Sequence, residues 1–276
     1  MIQGSTPPIA DGVLVVNLDE RTDRWDAFLT DIAPRLHPSR PQRLSAVKGV
    51  ALRGYGETPY FHGRKRDRTW AGRAGCTLSH RSAIRTAAEN KWRSVLILED
   101  DVEITAAFES VAPRLIQQLG RLDWDICYLG FTDPIGPFRS LAKLSEQHTL
   151  YQIYGCNTTH AYLVKDRAYE PLLRRLPTHE NIWNWLSRHR AIDRWYAHTL
   201  SRDMTVLAVS PSLLNQRQDV SDITGRPAEG AHITTISDVP PRMLPFGLAK
   251  ALRTAIHSLG ASFDALRGII KRRNGF

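Results

Sequence analysis

Ser94-Val95-Leu96-Ile97-Leu98-Glu99-Asp100-Asp101-Val102 runs four apolar residues straight into three carboxylates. A continuous apolar run fits a strand buried on both faces, as in a parallel sheet covered by helices. The carboxylates then fall at the carboxyl end of the strand, the edge at which ligands bind in open α/β sheets. In an extended chain, side chains two apart share a face, so Glu99 and Asp101 are expected to point one way and Asp100 the other. Like charges crowded at a strand end repel one another and ask for a positive partner. A hard divalent cation, Mg²⁺ or Mn²⁺, suits carboxylate oxygens. The same residues also read as an acidic turn that caps the next helix and faces water.

Upstream, Val13-Leu14-Val15-Val16-Asn17-Leu18 reads as a buried first strand. Asp19 to Arg24 suits the start of a helix, which would carry Trp25, Phe28, Leu29 and Ile32 on one face and stop before Pro34. A strand leading into a helix opens a nucleotide-binding α/β unit, yet no Gly-rich phosphate loop is present. Arg21 and Arg24 are placed to approach a nucleotide, or are solvated helix charges. Gln42 to Val47 is a weak second strand. Gly49 to Gly63 is loop-like, with Tyr55, Tyr60 and Phe61, and leads into Arg64, Lys65, Arg66 and Arg68. That loop reads equally as a phosphate-binding element or as plain exposed surface. Gly72 to Glu89 is a helix with Leu78, Ala83, Ile84 and Ala87 as its buried stripe. Small residues at its start, among them Gly75 and Ser79, let backbone come close to a ligand. Cys76 and His80 share a face, but two ligands do not make a structural zinc site. Cys76 is either a nucleophile or a buried thiol.

Downstream, Ala106 to Leu119 is an amphipathic helix and Asp125 to Gly130 a strand. Residues 131 to 148 read as a long loop. Thr158 to Val164 is a strand followed by a helix through Leu173. Trp183, Trp185 and Trp195 cluster next and suit either sugar faces or the core. Ile192-Asp193 opens a helix, Thr205 to Val209 is a strand, and residues 215 to 239 are polar and irregular.

The chain has 276 residues, 42% hydrophobic and 24% charged, as expected of a soluble globular protein. No signal peptide and no run of eighteen apolar residues is apparent. Three widely spaced cysteines favour reduced thiols in the cytoplasm. The net charge is +9, and from Pro240 onward seven basic residues stand against Asp264 alone. Such a tail speaks for an anionic surface, a membrane or nucleic acid. Nucleic acid is disfavoured, because no aromatic-rich binding motif interleaves with the charge. In the tail, Leu248, Leu252, Ile256, Leu259, Phe263, Leu266 and Ile270 recur at helical spacing. Its apolar face is expected to lie on an anionic membrane, or else to dock on the main domain or a second subunit. The expected division is a main domain over 1–239 and a basic amphipathic tail over 240–276.

Taken together, the motifs resemble glycosyltransferase family 25, the lipooligosaccharide-type transferases that include the collagen galactosyltransferases. The pieces occur in the family's order: Val16-Asn17-Leu18 with Arg21 and Arg24, Gly75 to His80, Leu96 to Asp101, and Asp125 to Gly130. His160 to Val164, Ile192-Asp193, and Gln218 with Ser221-Asp222-Ile223 complete them. They cover roughly residues 13 to 225. The resemblance implies a GT-A-like nucleotide-sugar fold with a mostly parallel central sheet, and Glu99-Asp100-Asp101 in place of the Asp-any-Asp metal motif. It implies an inverting transfer of galactose or a related hexose, from a nucleotide-sugar donor expected to carry UDP to a saccharide or glycolipid acceptor. Glu99 and Asp101 would hold Mn²⁺ or Mg²⁺. Asn17, Leu18, Arg21, Arg24, Gly75, Ser79, His80 and Asp100 would line the donor site, and Asp193 would be the base. The expected location is cytoplasmic, peripheral to the inner membrane. A catalytically inactive relative acting as a binding or scaffold protein is the alternative.

Overall fold

In the computed structural model, which describes residues 7–36, 38–217, 235–236 and 244–276, strand β3 (Ser94–Glu99) is covered on both faces. Val95 and Ile97 pack with helix α2 (Asp67–Glu89) on one side, Leu96 and Leu98 with helices α1 (Thr22–Asp31) and α3 (Phe108–Leu119) on the other. All four are fully buried, which is why the run is apolar without alternation. β1 (Gly12–Asn17) pairs parallel with β3 and with β2 (Pro41–Ser45). On the other side of β3 lies β8 (Gly155–Lys165), antiparallel to both β3 and β5 (Ile126–Ile135). β9 (Val206–Ser210) runs parallel to β5, and β7 (Thr149–Gln152) and β6 (Arg139–Lys143) close the edge. The order is β2-β1-β3-β8-β5-β9-β7-β6, and six of these eight strands point one way. The protein thus has the expected α/β architecture with a mostly parallel sheet. β4 (Val102–Ile104) and β10 (Leu214–Gln216) form a separate antiparallel pair at the end of β3. Helices α4 (Asp166–Arg175), α5 (Ile182–His189) and α6 (Ile192–Thr199) join α2 over the Val95–Ile97 face.

Residues 131–148 are not the loop their composition suggests. β5 continues to Ile135, and β6 occupies much of the remainder, with β7 following at once. These strands end the sheet, and their order comes from pairing with β7 and β9 more than from their own side chains. Helix α2 begins at Asp67, five residues before the expected start. Trp183, Trp185 and Trp195 are buried in the core, so no sugar-stacking face is offered by them. The three cysteines are free. Gln218 and Ser221-Asp222-Ile223 lie outside the described residues, as does most of the stretch expected to be irregular.

The tail forms helix α7 (Phe246–Asn274), and it docks on the body through its polar side. His257 stacks against Tyr154 at 5.5 Å and meets His198 of α6 in a tilted ring contact at 4.6 Å. Arg202 Nη2 donates to the His257 carbonyl at 2.9 Å, and Arg267 Nε to the Ser187 carbonyl at 3.2 Å. Gly268 admits α5 closely, since a Cβ there would lie 2.9 Å from Arg188 Cγ. Beyond the helix, Phe276 fills an aromatic pocket of Tyr60, Phe61, Trp70 and Trp183. Docking on the main domain therefore occurs, but by the face opposite to the apolar stripe.

Gly155 lets α6 lie directly on β8, because any Cβ there would be driven into the Ala197 carbonyl. Gly155→Ala is expected to destabilise the protein by about 1–3 kcal/mol through this overpacking. The measurement is the urea midpoint at unchanged m-value; an unaltered midpoint would show that α6 can move off the strand at little cost.

Candidate active site

The alternation of β3 carries into its acidic end. Glu99 continues the Val95–Ile97 face and meets α2 and β8. Thr159 Oγ1 donates to Glu99 Oε1 at 3.2 Å, and His80 Nε2 lies 3.4 Å from the same oxygen. His80 is fully buried, with its Nδ1 2.9 Å from the Tyr162 hydroxyl. Asp100 faces the other side. It accepts from Asn17 Nδ2 at 2.6 Å and from Arg24 Nη1 at 3.1 Å. The strand has ended by Asp101, and the turn into β4 brings its Oδ2 to 3.8 Å from the same guanidinium nitrogen. Gln216 Nε2 of β10 also donates to Asp101 Oδ2, at 3.0 Å. Asp101 Oδ1 is buried with no hydrogen-bond partner among the described residues.

Burial pushes the Asp101 carboxyl up to about 7, helped by the nearby charge of Glu99. Burial also raises Asp100, outweighing its bonds from Asn17 and Arg24. Burial acts on Glu99 in the same sense, but the hydrogen bond from His80 and the charges of His80 and His160 outweigh it and hold the carboxyl low. Asp193, in the first turn of α6, is raised by burial even though Arg194 N donates to its Oδ1 at 2.6 Å and Arg73 lies within electrostatic reach. The charges of Glu99, Asp193 and Asp101 all bear on Cys76, whose thiol is pushed far up, chiefly by burial. A thiol so held is a poor nucleophile at neutral pH, and Cys76 is half-buried where Cys127 and Cys156 are buried. The acidic groups at the end of β3 and on α6 thus lie within electrostatic reach of Cys76 on α2.

Two donor sets meet at Glu99. Cys76, His80 and Glu99 offer ligand atoms that all lie within 4.8 Å of one another. The spacing of Cys76 and His80 pointed to no structural zinc, and it is the fold that adds the third group. Glu99 also lies within electrostatic reach of Asp101, so the two carboxylates make a second, oxygen-only candidate set. The orphaned Asp101 oxygen is a buried acceptor without a donor, and an all-oxygen donor set suits a hard divalent ion. Carboxylate oxygens such as these suit Mg²⁺ or Mn²⁺, whereas the Cys76, His80 and Glu99 cluster offers the softer ligands that Zn²⁺ favours.

The remaining expected site residues fall into two groups. Asn17 and Arg24 are buried beside Asp100, so Arg24 is no solvated helix charge. Arg21 pairs instead with Asp23 at 2.9 Å near the surface, and the Leu18 carbonyl accepts from Arg43 at 3.2 Å. Gly75 and Ser79 serve the fold. A Cβ on Gly75 would collide with the Val47 carbonyl, and Ser79 Oγ accepts from Val47 N at 2.8 Å while donating to the Gly75 carbonyl at 2.7 Å. Sequence reasoning missed Thr159, Gln216 and Arg73. The first two are short or uncharged polar residues in strands, and only the sheet order brings them to the carboxylates.

Residues 10–127 match the model of glycosyltransferase family 25 (LPS biosynthesis protein), the family that the motifs resemble. Procollagen galactosyltransferase 1-B of Xenopus laevis is 30% identical over 176 residues, covering 59% of this chain and 27% of that protein. Procollagen galactosyltransferase 1-A of the same organism is 28% identical over 161 residues, covering 56% and 26%. The chain thus spans about a quarter of the length of these relatives. Among solved structures, A197 from STIV is similar with a TM-score of 0.38 and 11% identity, over 76% of this chain and 87% of that one. Mannose-1-phosphate geranyltransferase from Thermus thermophilus is similar with a TM-score of 0.36 and 14% identity, over 75% and 73%.

The Asp101 carboxyl titrates near 7 in the folded protein against 3.8 ordinarily. Between those values the folded state keeps a proton that the unfolded state has lost, so this group's contribution to stability falls as pH rises through the window. Asp101→Asn removes the charge at nearly constant shape. Without metal, the gain of the variant over wild type is expected to be larger at pH 8 than at pH 5, by roughly 1 kcal/mol or more. Equal thermal shifts at the two pH values would show that Asp101 carries no buried charge.

Proposed function

We propose that the protein is a metal-dependent inverting glycosyltransferase. It moves a hexose, galactose or a close relative, from a nucleoside-diphosphate donor, UDP being the expected nucleotide, to a saccharide acceptor of lipopolysaccharide or another cell-surface glycan. The observation that carries this reading is the carboxylate cluster at the carboxyl end of β3, with Asp100 and Asp101 buried, one Asp101 oxygen left unbonded, and the charge of Glu99 bearing on Asp193 of α6. The family match over residues 10–127 supports it. The proposed site of action is the cytoplasm, peripheral to the inner membrane face, where a glycolipid acceptor is presented.

Glu99 and Asp101 would hold the divalent ion, whose charge offsets that of the departing nucleoside diphosphate. Arg24 and Asn17 hold Asp100 and so brace the turn that carries Asp101. His80 and Thr159 orient Glu99. Asp193 takes the proton from the acceptor hydroxyl as that oxygen attacks the anomeric carbon. Partial burial raises its proton affinity, which makes it a stronger base than a solvated aspartate. The charge of Arg73 favours the ionised form of Asp193 and works against the effect of burial.

Two measurements test this. A thermal-shift screen of nucleotide sugars should find stabilisation by one donor only with Mn²⁺ or Mg²⁺ present, together with slow donor hydrolysis that excess chelator abolishes. Full hydrolysis in chelator would reject the metal. Asp193→Ala should lower kcat by about 10²–10⁴-fold while donor affinity stays within a few-fold, because a base acts in the transition state. Collapse of donor affinity with turnover preserved at saturation would make Asp193 a binding residue and move the base elsewhere.

A further inference from the structure

Helix α7 is amphipathic in the reverse sense to a docked surface helix. Its inward side carries Arg253, His257, Asp264, Arg267 and Lys271, all partly shielded. Arg253 lies over the Tyr154 ring at 5.6 Å and Lys271 over Trp70 at 5.7 Å. Its outward side carries Leu252, Ile256, Leu259, Phe263, Leu266 and Ile270, and Leu259 and Phe263 are 72% and 73% exposed. The stripe is continuous along most of the helix, far beyond the scattered apolar residues of an ordinary surface. The helix is pinned by its polar side, so the apolar side cannot turn inward without breaking the contacts to Tyr154, His198 and Ser187.

We propose that this outward face seats the protein on an anionic lipid surface, with α7 lying in the plane of the interface. The charge pattern selects this occupant. Asp264 is the single acidic residue of α7 and lies on the docked side, 3.7 Å from Arg267. Arg272 and Arg273 end the helix in solvent. A second copy of the helix therefore has no outward carboxylate to offer these arginines, whereas anionic headgroups do. Among the described residues no helix is long and apolar enough to cross a membrane, so the contact is peripheral. α7 touches α6 through the His198–His257 contact, so the lipid surface would lie one helix away from the element that carries Asp193. This deepens, and rests on, the transferase reading in one respect: the acceptor is borne by the membrane.

Flotation of the full chain decides it. Vesicles containing phosphatidylglycerol should carry the protein upward, vesicles of phosphatidylcholine alone much less, and about 0.5 M salt should weaken binding. The double variant Leu259→Glu/Phe263→Glu should lose at least roughly tenfold in vesicle affinity while metal-dependent donor hydrolysis stays as in wild type. Wild type that remains in solution with both vesicle types overturns the proposal, as does a double variant that floats equally well. Dissociation of a wild-type dimer by the same substitutions, without flotation, assigns the face to a second copy and also overturns it. Flotation as expected with no donor hydrolysis in either protein would reject the transferase reading and leave the lipid contact standing.

Discussion

The guanidinium of Arg24 is buried between the two aspartates that end β3, 3.1 Å from Asp100 and 3.8 Å from Asp101. A carboxylate taken out of water must be met by charge and hydrogen bonds, or it protonates. Arg24 and Asn17 meet part of that need at Asp100, whose carboxyl burial still raises. The Asn17 amide donates to Asp100 and to the Arg21 carbonyl, and its oxygen accepts from Arg43 at 2.7 Å. One side chain thus ties together β1, β2, the entry to α1 and the end of β3. The compensation stops short of Asp101, which is left with one bonded and one unbonded oxygen. The acidic edge is balanced enough to fold and still deficient in positive charge, which is the condition for a cation to bind there.

The same end of the sheet departs from regular pairing. β5 and β8 slip register three times between Tyr128 and Ile135. Thr158 and Asp133 adopt left-handed backbone, at φ of 65° and 47°. A β-branched residue in that region is strained and persists only where its surroundings fix it. Thr158 is held by contact with His160 at 3.0 Å, and it immediately precedes Thr159, the donor to Glu99. The irregularity re-aims β8 so that Thr159 and His160 both serve the carboxylate end, in the manner of bulges that border functional sites.

The tail helix obeys another constraint. Its cations on the docked side are partly shielded, lying over aromatic rings and carbonyls, while its leucines face outward. Burial depresses the Arg267 guanidinium to about 10, and the neighbouring arginines push in the same direction. Docking by such a face is costly relative to docking by the apolar one, and the Phe276 pocket with its stacked Trp70 at 4.3 Å supplies an apolar hold. The orientation of the apolar stripe is therefore a property that the body imposes on the helix.

Local patterns determined a good deal. The unbroken apolar run of β3 signalled burial on both faces, and period-two alternation sent Glu99 and Asp100 to opposite sides. The steps between Leu248 and Ile270 specified a helix with one apolar face. What the sequence could not determine was what each face meets. Asn17 and Asp100 are 83 residues apart, Thr159 and Glu99 are 60, and Gln216 and Asp101 are 115. No periodicity encodes such pairs, because they exist only once the sheet order is set. The glycine at 75 announced a close approach, and only the tertiary structure shows that the Val47 backbone makes one there. β6 carries little apolar signal of its own, since an edge strand takes its order from its neighbour. The direction in which α7 faces followed from the aromatic pocket and polar contacts of the body, which no pattern within the helix contains.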